Sequence, residues 1–464
     1  MVAITSAGAG SGIDMESIIS ASVSAKRSQL QQPVVKQQVA AQTTLSGVGK
    51  LKSAISTFTS ILDDLSAAGA FNKRKVAITQ STDDPILKVE TKTGASNGQY
   101  NITVNKLAKT SRQEGIFDSS TTALATSDGQ LTFSAGGKQF TVDVKAGDTL
   151  QNIRKSINAS GDNFGLSANI INTSDGKAKL VIDSGVSGDG KDLSITSSNS
   201  ELSIFATGAV GSKMTQTQAA SSAEIDVDGN TLKSDTNTFD DTVQDLKITL
   251  LRTSDKDTSG NLLSNKVDIS TDKTAIQSMV QKFIDGYNTL IDSSNSLGKR
   301  NSMVAGVNQN DGGELAGDST PRIITNFLSS SVSTASTLST SFSTIFEVGV
   351  KMDNKGKLSL DGTKFSDALD KNYDQVVALF GNSAGVAGSM STGLKEYTKT
   401  GGLLSQRQDS LNTSLRTIAQ KESDITAVVT KYEASLRKTY GNLDALVTKM
   451  NKSASSLSAL TSSS

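Results

Sequence analysis

Residues 411–460 read LNTSLRTIAQKESDITAVVTKYEASLRKTYGNLDALVTKMNKSASSLSAL. From Leu411, steps of four and three visit Leu415, Ile418, Glu422, Ile425, Val429, Tyr432, Leu436, Thr439, Leu443, Leu446, Met450, Ser453, Leu457 and Leu460. Twelve of these fifteen positions are apolar, counting Tyr432; no Pro interrupts them and Gly441 is the only Gly. That period belongs to a helix whose narrow apolar seam meets one or two partner helices rather than walling a globular core. Seven heptads would span roughly 75 Å at about 1.5 Å per residue. Arg416, Lys421, Glu422 and Lys431 flank the first half, whereas beyond Gly441 charge thins out and small residues multiply. Leu415, Ile418, Ile425, Val429, Tyr432 and Leu436 are therefore expected to form an intrachain stalk. Leu443, Leu446, Met450 and Leu457 are expected to serve as an assembly contact. The Ser-rich ending, from Ser453 to Ser464, reads as disordered in a free subunit.

The intrachain partner of this seam lies at the other end of the chain. Leu51, Ile55, Phe58, Leu62 and Leu65 recur at steps of four, three, four and three, the matching stripe of a coiled-coil stalk. Upstream, Ile19, Val23 and Leu30 fit more loosely, and Pro33 with Gly47 and Gly49 is expected to weaken or break the helix.

Between about Phe71 and Asp272 the period falls to two. Tyr100, Ile102 and Val104 alternate with polar neighbours, as do Phe140, Val142 and Val144, and Leu246, Ile248 and Leu250. Alternation marks strands buried on one face, punctuated by turn signals at Asn97-Gly98, Asp128-Gly129, Asp175-Gly176 and Asp228-Gly229. One helix interrupts them, with Asp148 as its expected cap and Leu150, Ile153 and Ile157 as its stripe. Helical spacing resumes at Thr274, where Ile276, Met279, Val280, Phe283, Ile284, Tyr287, Leu290 and Ile291 share a face. A Gly- and Asp-rich loop (Asp311 to Ser319), a further helix, a small hairpin in GVKMDNKGKLSLDG and two short helices near Phe365–Leu369 and Val376–Phe380 complete the pattern. The expected class is α+β and multidomain: a helical stalk built from both termini, with two β-rich head domains inserted between them. The expected parts are 1–42 with 430–464 and 43–72 with 273–429 in the stalk. The head divides into 73–117 with 215–272, and 118–214 inserted within it.

Composition closes many functional classes. The 464 residues carry 46 Lys+Arg against 46 Asp+Glu, so no basic excess recommends nucleic acid or an anionic membrane as a partner. There is no Cys and no His, which removes disulfides, the usual zinc ligands and His-based catalytic pairs. No cofactor or metal is expected. The N-terminus has no basic segment before an apolar core, unlike a Sec-type signal peptide, and no apolar run approaches membrane-spanning length.

Three motifs look chemical and have plainer explanations. Gly8, Gly10 and Gly12 lack the spacing and the preceding strand of a phosphate loop. Asp226-Val227-Asp228-Gly229-Asn230 resembles a calcium loop, yet Asn237 stands where a Glu ligand is needed, so a hairpin turn is the default. Ser270-Thr271-Asp272-Lys273 matches the SxxK of serine–lysine hydrolases, but lies where a strand ends and a helix starts, as capping requires.

Several stretches, in order, resemble the filament cap proteins of the bacterial flagellum, members of the hook-associated protein family. These are GSGIDMESIISASV (10–23), GQYNITVNKLAKTSRQ (98–113) and TLQNIRKSINASGDNFGLSANIINTSDGKAKLVIDSGVSG (149–188), which carries an "IN" motif at Ile157-Asn158. NTFDDTVQDLKITLL (237–251), VDISTDKTAIQSMVQKFIDGYNTLIDSSNSL (267–297), LAGDSTPRIITNFLSS (315–330) and the terminal heptads follow. The resemblance implies a non-enzymatic, extracellular protein at the filament tip, exported through the flagellar type III channel. Its implied partners are flagellin, further copies of itself in a ring (five-fold on the filament), the hook–filament junction protein, the export apparatus and an export chaperone. A hook–filament junction protein is the alternative within the same machine, and a tip adhesin for mucus or host surfaces is a possible secondary role.

Overall fold

The computed structural model describes residues 14–334 and 339–461, so the glycines at 8, 10 and 12 and the residues 462–464 lie outside the described residues. The helices are α1 (Met15–Ser66), α2 (Leu150–Ala159), α3 (Lys273–Gly298), α4 (Thr320–Ser333), α5 (Gly362–Phe380), α6 (Val386–Thr398) and α7 (Leu403–Thr461). Two units emerge, one from residues up to Phe71 with Thr274 onward, the other from Asn72–Lys273.

In the helical unit, α1 starts where the Asp14 carboxylate accepts the Ser17 amide at 3.0 Å, satisfying a donor that the first turn leaves open. Contrary to expectation it runs unbroken through Pro33. Pro33 and Gln29, whose carbonyl loses its helical donor, are both exposed, so water can take the place of the missing N–H. Gly47 does not break the helix either. It is buried, and a Cβ there would lie 2.8 Å from Glu314 Cβ and 2.9 Å from Leu315 Cγ, so the missing side chain permits a close approach.

Leu51, Ile55, Phe58 and Leu62 are each at most 1% exposed. They enter a core shared with α3, α4, α5, α6 and the start of α7, rather than a two-helix seam. Phe58 stands 5.9 Å from Phe283 and 6.3 Å from Tyr287, ring centre to ring centre, and Phe283 lies 6.2 Å from Phe380. The two short helices expected near Phe365 and Val376 are the halves of α5, joined across a kink at Asn372 (φ −150°, ψ 61°). A further helix, α6, is rich in small residues and was not expected, although Val386, Met390 and Leu394 share its buried face. Its Gly393 accommodates the Phe327 ring, whose Cζ would sit 2.3 Å from an added Cβ. The Ser-rich stretch from Ser453 to Ser458 is helical, as part of α7.

The strand-rich unit contains two separate apolar cores. One gathers residues between Ile86 and Ile269, the other residues between Phe117 and Met214. Around the first lie a five-stranded sheet in the order Arg74–Ile78, Asn265–Thr271, Gly98–Lys106, Ala223–Val227 and Asn230–Ser234, and a three-stranded sheet of Thr238–Asp240, Leu246–Leu250 and Leu87–Thr91. Around the second lie a four-stranded sheet in the order Met214–Gln218, Thr110–Phe117, Ala178–Ser187 and Ser167–Asn172, a three-stranded sheet, and α2. All these pairings are antiparallel. A boundary drawn at 117/118 and 214/215 would cut through a sheet, because Thr110–Phe117 pairs on one side with Met214–Gln218 and on the other with the inserted module's own strand Ala178–Ser187.

Helix α2 buries Leu150, Ile153 and Ile157. Its cap is Thr149, not Asp148: the Thr149 hydroxyl accepts the Asn152 amide at 3.3 Å, while Asp148 binds the Lys145 amide at 2.7 Å. Asp175-Gly176 and Asp228-Gly229 form hairpin turns, with Gly176 and Gly229 in the left-handed region. Asn97 and Asp128 instead precede strands that start at Gly98 and Gly129.

Candidate functional site

The feature with most to offer a partner is the pair α1/α7. The helices run antiparallel, with Lys52 Nζ donating to Gln408 Oε1 at 3.4 Å near one end and Arg437 meeting Glu16 near the other. Along α7, Leu411, Ile418 and Val429 are buried at 8, 6 and 1% exposure. Leu415, Ile425, Tyr432 and Leu436 are half-buried. Leu443, Leu446, Met450 and Leu457 are exposed at 43, 54, 63 and 64%.

The heptad path drifts on a straight helix by about 20° per heptad, or about 100° from Leu411 to Leu446. After Leu436 the half-buried positions are accordingly Tyr440, Gly441, Asp444, Val447 and Thr448. The stripe Leu443, Leu446, Met450 and Leu457 turns outward.

The Arg437 guanidinium closes the end of the pair. Its Nη1 and Nη2 donate to the two Glu16 oxygens at 2.7 and 2.6 Å, and Nε and Nη2 reach Glu433 Oε1 at 3.0 and 2.9 Å. The hydrogen bonds from Arg437 hold the Glu16 carboxyl below its ordinary value, as a bidentate cation does. Glu16 also lies in the first turn of α1, where negative charge suits the helix dipole. Nearer the multi-helix core, Lys50 pairs with Glu314, and Arg407 with Asp318 at 3.1 Å. Burial pushes Asp318 up, but the hydrogen bonds from Thr320 and the charge of Arg407 outweigh it and leave the carboxyl low. Glu16 with Arg437, Lys50 with Glu314 and Asp318 with Arg407 are far apart in the chain, so no local spacing in the sequence announces them.

The motifs that looked chemical occupy structural positions. Gly229 N donates to Asp226 Oδ1 at 2.8 Å, and the Asn101 amide and side chain both donate to Asp228 Oδ1 at 3.0 Å, so protein donors hold both carboxylates. Ser270 lies in the strand Asn265–Thr271, in register with Lys75 of its neighbour. The "IN" pair is architectural: Ile157 is fully buried. Asn158 clamps the strand that begins at Ser167, donating to Ala168 O at 2.8 Å and accepting from Ala168 N at 2.9 Å. No helix of the described residues is long and apolar enough to cross a membrane.

Helical segments before and after nested strand-rich modules, with an apolar stripe facing outward on a terminal helix, define a multidomain α+β protein. Family models narrow that class: "Flagellar hook-associated protein 2 N-terminus" matches residues 11–111, "Flagellar hook-associated protein 2 C-terminus" 220–452, and "Flagellin hook IN motif" 130–186. Among curated proteins, flagellar hook-associated protein 2 of Aeromonas caviae is 69% identical across 100% of this chain and 99% of its own. The protein of the same description from Escherichia coli K12 is 30% identical across 98% of each. The crystal structure of the D1-D2-D3 domains of the flagellar cap protein FliD from Escherichia coli superposes with a TM-score of 0.66 at 28% identity, covering 79% of this chain and 99% of that one. The chain belongs to the flagellar hook-associated protein 2 family, the caps of the flagellar filament.

Proposed function

We propose that this chain, as a filament cap, promotes the polymerisation of exported flagellin at the growing tip and prevents its leakage. The observation that carries the reading is the outward stripe on α7, where Leu443, Leu446 and Met450 are 43, 54 and 63% exposed. Apolar residues held at helical spacing on a rigid element suit packing against helices of other subunits. Leu457 extends the same face.

In this reading residues 1–42 with 430–464 form a terminal leg, and 43–72 with 273–429 a helical body. The strand-rich modules form a plate. Copies assemble as a ring, five-fold on the filament, and the cap also meets the hook–filament junction protein. The chain leaves the cell through the flagellar type III channel with an export chaperone, works outside at the filament tip, and catalyses no reaction.

Deleting the gene and assaying the medium tests this directly. Hooks without filaments, with unpolymerised flagellin in the medium, are expected. Normal filaments with no free flagellin would overturn the proposal.

A further inference from the structure

The strand-rich unit contains a joint that the filament-end function does not explain. The chain passes between its two cores only twice, entering the inserted module at Lys109–Thr110 and leaving it at Gln218–Ser221. The crossings lie side by side: Lys109 N donates to Ser221 O, and Ser221 N to Lys109 O, each at 2.9 Å. Immediately inside this bridge both strands lose register, between Thr110 and Arg112 on one and between Gln216 and Gln218 on the other. Such irregularities bend strands and interrupt the ladder that would otherwise stiffen them.

The groups that close the joint are polar, and the two apolar cores remain separate clusters. Asp189 N donates to Ser222 Oγ at 2.9 Å, and Ser222 N to Asp189 Oδ1 at 3.0 Å. Lys191 of the inserted module pairs with Asp235 of the other at 2.5 Å, and Asp189 receives Lys233 and Lys106 at 3.6 and 3.8 Å. The fit is close, since a Cβ on Gly188 would lie 2.7 Å from Asp235 Oδ1. Beside the bridge, Ser111 Oγ and Ser221 Oγ are buried without a hydrogen-bonding partner among the described residues.

Buried polar atoms without partners favour hydration, and exposed ion pairs are weak and screened by salt. The closed joint is therefore held by groups that water and ions readily replace. We propose that the inserted module swings on the Lys109–Ser221 bridge, and that Asp189 and Asp235 form the latch that holds it shut.

Because the chain has no Cys, the full-length protein accepts a clean label pair at Lys155→Cys in the module and Thr231→Cys outside it, both exposed. Spin-label distances are measured with the labelled chain diluted into unlabelled chain. At low salt one narrow distribution is expected. In 1 M NaCl, where the screening length is about 3 Å, and in Asp189→Asn/Asp235→Asn, a second, displaced population should reach at least about one molecule in ten. Amide exchange at Gly188, Asp189 and Ser222 should speed about tenfold while Ile182 and Ile225 within the sheets stay unchanged. A distribution that is the same at low and high salt and in the double variant overturns the latch. Equal acceleration in the sheets overturns it too, because it would report general loosening. Should the double variant fail to fold, the salt titration of the unaltered latch decides alone.

Discussion

Gly47 and Gly49 lie two residues apart on α1 in opposite circumstances. A Cβ at Gly47 would meet Glu314 Cβ and Leu315 Cγ inside 3 Å, whereas nothing lies within 4 Å of one at Gly49. Gly47→Ala should lower stability by about 1–3 kcal/mol, the usual effect of overpacking. Gly49→Ala should raise it by about 0.5–1 kcal/mol, since Ala is the better helix former. Denaturant titration of the two variants checks both signs. Composition alone assigned both glycines the same role; the difference comes from Glu314 and Leu315, more than 260 positions away, which no local pattern reveals.

On the scale of single elements, regular spacing was readable and tertiary rescue was not. The stripe of α2 and the broad face of α3 stand in the structure as their periods predict, because a repeated apolar step has few other uses. Pro33 misled because its cost depends on whether the freed carbonyl faces water. The helix α6 carries a short apolar stripe at Val386, Met390, Leu394 and Tyr397 that was overlooked among its glycines and serines; Gly393 there lets the Phe327 ring approach. The seam of α7 was readable in its first half, where α1 opposes it, and veered off the heptad path in the second. The end of this pair also has a predictable acid response. Arg437 depresses the Glu16 carboxyl, so its contribution is present above the ordinary value of 4.5 and is lost as pH falls below that toward the lowered folded value. Amide exchange at Ser17 and Ile18 should quicken over that range, and Glu16→Gln should exchange quickly at all pH values. Exchange that is pH-independent beyond the intrinsic chemistry would contradict the role given to the pair.

At the scale of the whole molecule, α7 joins a buried stretch to an exposed one. Ile418 is 6% exposed and Leu443 43%, so truncating each removes contacts of different kinds. Ile418→Ala should destabilise the isolated chain by about 2 kcal/mol, the low end for a buried aliphatic residue. Leu443→Ala should cost the isolated chain almost nothing. The most direct test measures thermal unfolding of the purified Leu443→Ala/Leu446→Ala variant beside its ability to restore filaments in a strain lacking the natural gene. The predicted result is an unfolding transition within about 1 °C of the unaltered protein, with filament growth lost and flagellin released into the medium. A variant that restores full-length filaments, or that unfolds as early as Ile418→Ala, would contradict the account.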